Sequence, residues 1–353
     1  MRVAFVLTQD RGGPVDVTVR LAAALQASGE AEVRVFGPVP ARDADLIAGR
    51  HEEISVPRKG DLRASRRARA KLRAWRPDVV HAQDRRSGLV CAGLGGDIRV
   101  VHTYHGVPDD VSEPWFRGIP GARRPSTYTM TVLAADALVA RRVGRTVVPA
   151  PSMGRFLFDR LRVPAQRVTH IDNCVAIGHA EPPAGPVRRL LFVGLLVERK
   201  GLPALLEALP PNATLTVAGD GPQRAKYEQL AAGLPVEFLG FRADVPDLLR
   251  KHDALVLPST MEQQPLVVAE AMAAGKPVVA TDTGGVADML DAPGTARFLA
   301  APGDVAALGK QLRRLLADPD PARTGRLFAA RARERFSPEV CAQRHLELYR
   351  SLT

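Results

Sequence analysis

Leu257-Pro258-Ser259-Thr260-Met261-Glu262-Gln263-Gln264-Pro265-Leu266-Val267-Val268-Ala269-Glu270-Ala271-Met272-Ala273-Ala274-Gly275-Lys276-Pro277 is the stretch whose reading decides the fold. An apolar, buried strand ends at Pro258, a polar loop follows, and a helix starts near Pro265. Proline suits a helix start because its missing N–H has no intrahelical partner to lose there. Gly275 suits the helix end, and Lys276-Pro277 leads into the next apolar strand. The first free amides of this helix belong to Leu266 and Val267. Unbonded donors and the helix dipole together favour an anion at that point.

The pattern repeats on either side. Strands are expected at Leu190–Leu195, Thr214–Gly219, Val236–Phe241, Ala254–Pro258, Pro277–Thr281 and Ala296–Ala300, with helices at Leu202–Leu209, Gln223–Ala232 and Pro265–Ala274. Strands alternating with helices at this spacing predict a parallel sheet covered on both faces. Ligands of such sheets bind beyond the carboxyl ends of the strands. The first half has the same rhythm, with strands at Val3–Thr8, Glu32–Phe36, Val79–Ala82, Arg99–Tyr104 and Arg167–Asp172 and helices at Val15–Ser28 and Leu62–Trp75. A length of 353 residues fits two such domains. The Pro/Gly-rich run in 179–189 is the expected linker between 1–178 and 190–336, and 337–353 is expected to be an amphipathic helix crossing back to the first domain. Its inward face should carry Val340, Cys341, His345, Leu348 and Leu352.

Glu262 lies in the polar loop and Glu270 about one and a half turns into the helix. Two carboxylates beside an anion would repel it. They fit only where each accepts hydrogen bonds from hydroxyls, such as a ribose on one side and a sugar on the other.

With those residues in view, Glu262 and Glu270, seven residues between them, followed by Ala271-Met272-Ala273-Ala274-Gly275-Lys276-Pro277, resemble the signature of family 4 retaining glycosyltransferases of the GT-B fold. Phe192–Gly201, Val217–Pro222, Leu239–Arg242 and Thr283–Val286 resemble the flanking loops of that family's donor domain. In the first half, Arg11-Gly12-Gly13, Pro77–His81, Tyr104–Gly106 and Ile171–Asn173 resemble its other blocks. The resemblance implies an α/β architecture of two Rossmann-like domains facing across a cleft, the first binding the acceptor and the second the donor. It implies transfer of a hexose-like sugar from a nucleoside diphosphate donor to an acceptor hydroxyl, with retention and without metal or other cofactor.

Carried over position by position, it places Glu270 on ribose hydroxyls, Glu262 on the donor sugar and the Leu266 and Val267 amides on phosphate. Lys200 would neutralise the leaving diphosphate and His105 would lie at the reacting sugar. Gly12 and Gly13 would let backbone approach phosphate or acceptor. The segments around Asp220, Phe241 and Arg242 would line the nucleotide, the last two reading the base through their backbone. One departure stands out: the family has an arginine, a second cation on the diphosphate, where this chain has Leu195. Losing one preorganised charged donor costs on the order of 3 kcal/mol in the transition state. Arg199 or an arginine of the first domain is a candidate substitute; a slow enzyme, a donor with other phosphate needs, or a non-catalytic nucleotide-sugar binding protein are the other readings. A same-fold epimerase or phosphorylase also stays open. A nicotinamide dehydrogenase is disfavoured, since no strand is followed by G-x-G-x-x-G.

The net charge of +11 sits mostly in residues 1–180, which carry 28 Lys/Arg against 18 Asp/Glu, while 181–353 carry 21 against 20. Residues 58–76 hold nine basic residues and one acid, Asp61. This leaves open a peripheral contact with an anionic membrane or an acidic acceptor, helped by Trp115-Phe116. Nucleic acid is not expected, since the few aromatics do not interleave with the basic run. Three scattered cysteines offer no metal spacing and suit a reducing compartment. The chain opens on an apolar strand with no charged leader or cleavage site, so no secretion signal is expected. Cytoplasmic localisation follows, with a membrane-peripheral position left open.

Overall fold

The computed structural model describes every residue of the chain except Lys59 and Ala296. Lys59 of the basic run and the first residue of the last expected strand therefore lie outside the described residues. The chain divides into two units: Met1–Cys174 with Ser337–Thr353, and Val175–Phe336. Each is a doubly wound parallel sheet.

The first unit contains β1 (Arg2–Val6), β2 (Glu32–Gly37), β3 (His51–Glu53), β4 (Val79–Ala82), β5 (Arg99–Thr103), β6 (Arg145–Val148) and β7 (Val168–His170). Their order is β3-β2-β1-β4-β5-β6-β7, so the winding reverses between β1 and β4. The second contains β8 (Arg189–Val193), β9 (Thr214–Ala218), β10 (Val236–Gly240), β11 (Ala254–Leu257), β12 (Val278–Thr281) and β13 (Phe298–Ala300). There the order is β10-β9-β8-β11-β12-β13, reversing between β8 and β11.

The period-2 alternation of strands explains why both faces of the second sheet are apolar. Leu255, Leu257, Val278 and Ala280 pack with Val268, Met272, Phe328 and Phe336 on one side. Leu190, Phe192, Val256 and Val279 pack with Leu202, Leu205 and Leu312 on the other. The stretch in 179–189 lies on this unit: the Glu181 N–H donates to the Ala274 carbonyl at 2.9 Å, and Val187 is fully buried.

In the first unit, the helix Leu62–Trp75 begins where Asp61 accepts the Ala64 N–H at 2.9 Å. It buries Ala64, Ala68, Leu72 and Trp75, a stripe at helical spacing. Arg63, Arg66, Arg67, Lys71 and Arg73 lie exposed on its other face. Trp115 and Phe116 are buried against Phe156, their rings 5.9 and 4.9 Å from its centroid, so they offer nothing to a membrane. The helix Pro338–Arg350 packs on Gly13–Ala27 and buries Cys341, Ala342, His345, Leu346, Leu348 and Tyr349. Val340 and Leu352 of the expected face are only half-buried, because the helix turns Tyr349 and Leu346 inward instead. No helix among the described residues is long and apolar enough to cross a membrane.

Candidate functional site

The winding of the second sheet reverses between β8 and β11, and the loops leaving those two strands carry Lys200 and Glu262. A crevice at such a reversal is where doubly wound sheets take ligands. Two glycines press these loops together. Gly201 has φ of +68°, and a Cβ on it would lie 2.0 Å from the Pro258 carbonyl oxygen. Gly284, at φ +52°, would place a Cβ 1.8 Å from the Glu262 carbonyl oxygen. Side chains at either position would push the Glu262 loop away. Backbone bonds complete the frame: Thr260 N–H donates to the Arg199 carbonyl at 2.8 Å, and Gly285 N–H to the Gln263 carbonyl at 2.7 Å.

Within this frame the Lys200 ammonium donates to Glu262 Oε1 at 2.5 Å, the two side chains being 14% and 9% exposed. The lysine stem passes over Gly194, where a Cβ would lie 3.7 Å from Cδ and Cε. Next along the chain, the helix Leu266–Ala273 begins after Pro265, its N-cap, one residue later than the sequence reading placed it. Pro265 offers no side-chain cap, and the first intrahelical bond runs from Val268 N–H to the Pro265 carbonyl at 3.1 Å. The amides of Leu266 and Val267 precede that bond. Glu270 is half-buried on the same helix.

The remaining residues singled out in this unit line neighbouring loops. Leu195, just after β8, is 52% exposed, and Phe241, just after β10, is 74% exposed. Arg242 is tied by its guanidinium to Asp244 at 2.7 and 2.5 Å. Asp220 accepts the Gly221 N–H at 2.7 Å and a longer contact from Arg224 at 3.4 Å. Arg199 enters the frame through its carbonyl, bonded to Thr260.

In the first unit, Gly12 (φ +101°) is the N-cap of the helix Gly13–Ala27, so Gly13 is that helix's first residue. The loop before it is pinned by Asp84, whose carboxylate accepts from Thr8 N–H at 2.6 Å and Thr8 Oγ1 at 2.7 Å. His105 follows β5. Its Nε2 lies 3.0 Å from Gln83 Oε1, and burial, reinforced by His102 and His345, pushes the imidazole down to about 3. The ring is therefore neutral at physiological pH, with Nε2–H donating to Gln83. Sequence reasoning missed this partner, and it also missed Arg85. The Arg85 guanidinium binds Asp136 at 2.8 and 2.9 Å and the Gly106 carbonyl at 3.0 Å, fixing the turn that carries His105. The run Gln83-Asp84-Arg85 directly after an apolar strand was the available signal. His81 and His102 are buried in the core.

The second unit is thus a doubly wound, Rossmann-like sheet whose reversal point presents a lysine–glutamate pair on the loops that lead to a helix start. Residues 187–318 match the family described as glycosyl transferases group 1, and residues 11–178 match glycosyltransferase family 4. The chain belongs to the family 4 glycosyltransferases of the GT-B fold. It is 31% identical over 283 residues to the glycogen synthase of Mycobacterium tuberculosis, covering 74% of this chain and 65% of that protein's length. It is 28% identical over 309 residues to a GDP-mannose-dependent alpha-(1-6)-phosphatidylinositol dimannoside mannosyltransferase of the same species, covering 80% and 78%. The crystal structure of Anabaena HepE in complex with UDP and glucose superposes with a TM-score of 0.79 at 22% identity, covering 99% of this chain and all of that one.

Proposed function

We propose that this protein is a retaining, metal-independent glycosyltransferase that moves a hexose from a nucleoside diphosphate sugar to an acceptor hydroxyl. The observation that carries the reading is the Lys200–Glu262 pair at the reversal of the second sheet, beside the start of Leu266–Ala273. Amides of Leu266 and Val267 and the Lys200 ammonium would hold the diphosphate. Glu270 would accept from ribose hydroxyls and Glu262 from the sugar. These fixed donors supply positive charge where the leaving group becomes negative, the role a divalent cation plays elsewhere.

As the bond from the anomeric carbon to the diphosphate oxygen breaks, its electron pair stays on the phosphate. The acceptor oxygen then bonds to the same face of that carbon and passes its proton to the departing phosphate oxygen. No enzyme nucleophile is needed, and the configuration is kept. The acceptor side is assigned to the loops after β1, β4 and β5, where Gly12, Gly13 and neutral His105 lie. Exposed Arg63, Arg66, Arg67, Lys71 and Arg73 suit an acidic acceptor or an anionic lipid surface. Three buried free thiols fit a reducing, cytoplasmic setting.

The relatives' names point to different bases: HepE was crystallised with UDP, whereas the mannosyltransferase is described as GDP-mannose-dependent. The deciding experiment is calorimetric titration of UDP, GDP, ADP, CDP and TDP with chelator present, into wild type and Glu270→Ala. One nucleotide should bind wild type and lose at least tenfold in the variant, the scale of a lost charge-assisted hydrogen bond. Absence of binding by all five would sink the reading. Exposed Leu195, where the family carries a cation, favours a second reading, donor binding without turnover. Sugar transfer to any acceptor excludes it.

A further inference from the structure

Lys200 and Glu262 are each assigned a separate task on the donor, yet in the structure they are bonded to each other at 2.5 Å and nearly withdrawn from solvent. A diphosphate that takes the ammonium must therefore compete with a carboxylate already holding it. Elsewhere in the family an arginine would meet the phosphates regardless; here that position is Leu195, so the contest over Lys200 is not bypassed.

We propose that Glu262 is a specificity-determining gate on Lys200, which makes the site favour nucleoside diphosphate sugars over bare nucleoside diphosphates. This rests on the donor reading above. When the sugar is present, its hydroxyls donate to Glu262, occupy its lone pairs and free the ammonium for the diphosphate. When the sugar is absent, as in the product, Glu262 keeps its hold on Lys200, and the nucleoside diphosphate binds weakly and leaves. The two ligands thus differ by more than the contacts the sugar itself makes. Gly201 and Gly284 make the coupling stiff, because they hold both loops at a separation that no other residue type permits.

The test is a cycle of four proteins, wild type, Glu262→Gln, Lys200→Gln and the double variant, titrated with UDP and UDP-glucose, or with GDP and GDP-mannose if the panel selects guanine. Urea midpoints confirm folding; the double variant leaves no buried charge unpaired and serves if Lys200→Gln alone does not fold. Glu262→Gln should bind the bare nucleoside diphosphate about tenfold tighter than wild type, as when a competing state populated roughly nine-tenths of the time is removed. It should bind the sugar nucleotide no tighter, so the discrimination collapses. In the Lys200→Gln background, the same substitution should give no gain. Two results would overturn the gate while leaving the donor site intact. One is wild type binding nucleotide with Glu262→Gln binding it no better. The other is a gain that persists without Lys200, which would mean simple repulsion between carboxylate and phosphate. Wild type binding no nucleotide at all overturns the gate together with the donor reading.

Discussion

Acid should unfold the first unit well before the general acid range. His81, His102 and His345 are buried, and burial is the leading cause that lowers each imidazole. His102 and His345 are brought to about 4 from an ordinary 6.5. Asp84 pulls His102 back up and Arg85 pushes it down, while Cys341, through its carbonyl, is the counterweight at His345. A folded value below the unfolded one means the unfolded chain binds more protons as pH falls. The stability these groups contribute is therefore complete above pH 6.5 and is lost progressively on the way down to pH 4.

At pH 5 each imidazole costs about 2 kcal/mol, because the unfolded ring is almost wholly protonated and the folded one hardly at all. The pair together costs about 4 kcal/mol, a large share of a typical domain's stability. Both tryptophans, Trp75 and Trp115, lie in the first unit, so their fluorescence reports on it selectively. Urea titrations at pH 7.5 and 5.0 should show the midpoint falling sharply at the lower pH with an unchanged slope. His102→Asn should remove about 2 kcal/mol of that difference, with His81, His105 and His345 carrying the rest. An equal midpoint at both pH values, or a His102→Asn protein that keeps the full difference, would refute the reasoning.

Other expectations concern the second unit. Leu195→Arg should raise kcat by about tenfold or more if a single cation limits departure of the diphosphate, as steady-state kinetics on the identified donor will show. Gly284→Ala should lose about 1–3 kcal/mol by thermal or urea denaturation, from positive φ and from displacing the Glu262 carbonyl, with transfer falling further than stability. Met272→Ala, in the apolar cluster under the site helix, should cost about 2–5 kcal/mol by urea denaturation with nucleotide affinity retained in the folded fraction. Arg242→Ala should leave the urea midpoint almost unmoved, because its pair with Asp244 is more than a third exposed on both sides, and should leave base preference unchanged in the nucleotide panel.

β8 and β11, which carry the Lys200 and Glu262 loops, were legible because each is a short apolar run closed by Gly194 or Pro258, and they appear within two residues of the reading. β3 and β6 were not read: His51-Glu52-Glu53 has no apolar pattern and exists as a strand because β2 offers it an edge, while Arg145–Val148 is a short run that pairs between β5 and β7. The helix Thr127–Arg142 was also unread, since its buried side mixes Leu133 and Val139 with Thr129 and Asp136, whose inward placement depends on the Arg85 partner. The polar residues of the loop before Leu266–Ala273 were identifiable from their spacing to the helix start. Their pairing was not: Lys200 and Glu262 are 62 residues apart and meet only because the winding reverses between β8 and β11. Likewise the partner of His81 is Tyr349, 2.6 Å from Nδ1 yet 268 residues distant, a contact that no local pattern announces.

That last contact bears on the order in which the protein can be made. Val175–Phe336 is continuous in sequence and can complete its own core while the ribosome is still at work. The first unit cannot, although its strands emerge first. The helix that covers His81 and seats Tyr349 beside it is translated only after the whole of the second unit. Throughout that interval the strip of β4 and of Gly13–Ala27 destined for this helix stays uncovered. The segment born first is thus the last to close, and a nascent chain stalled before Ser337 should present its amino-terminal half, not its middle, to chaperones.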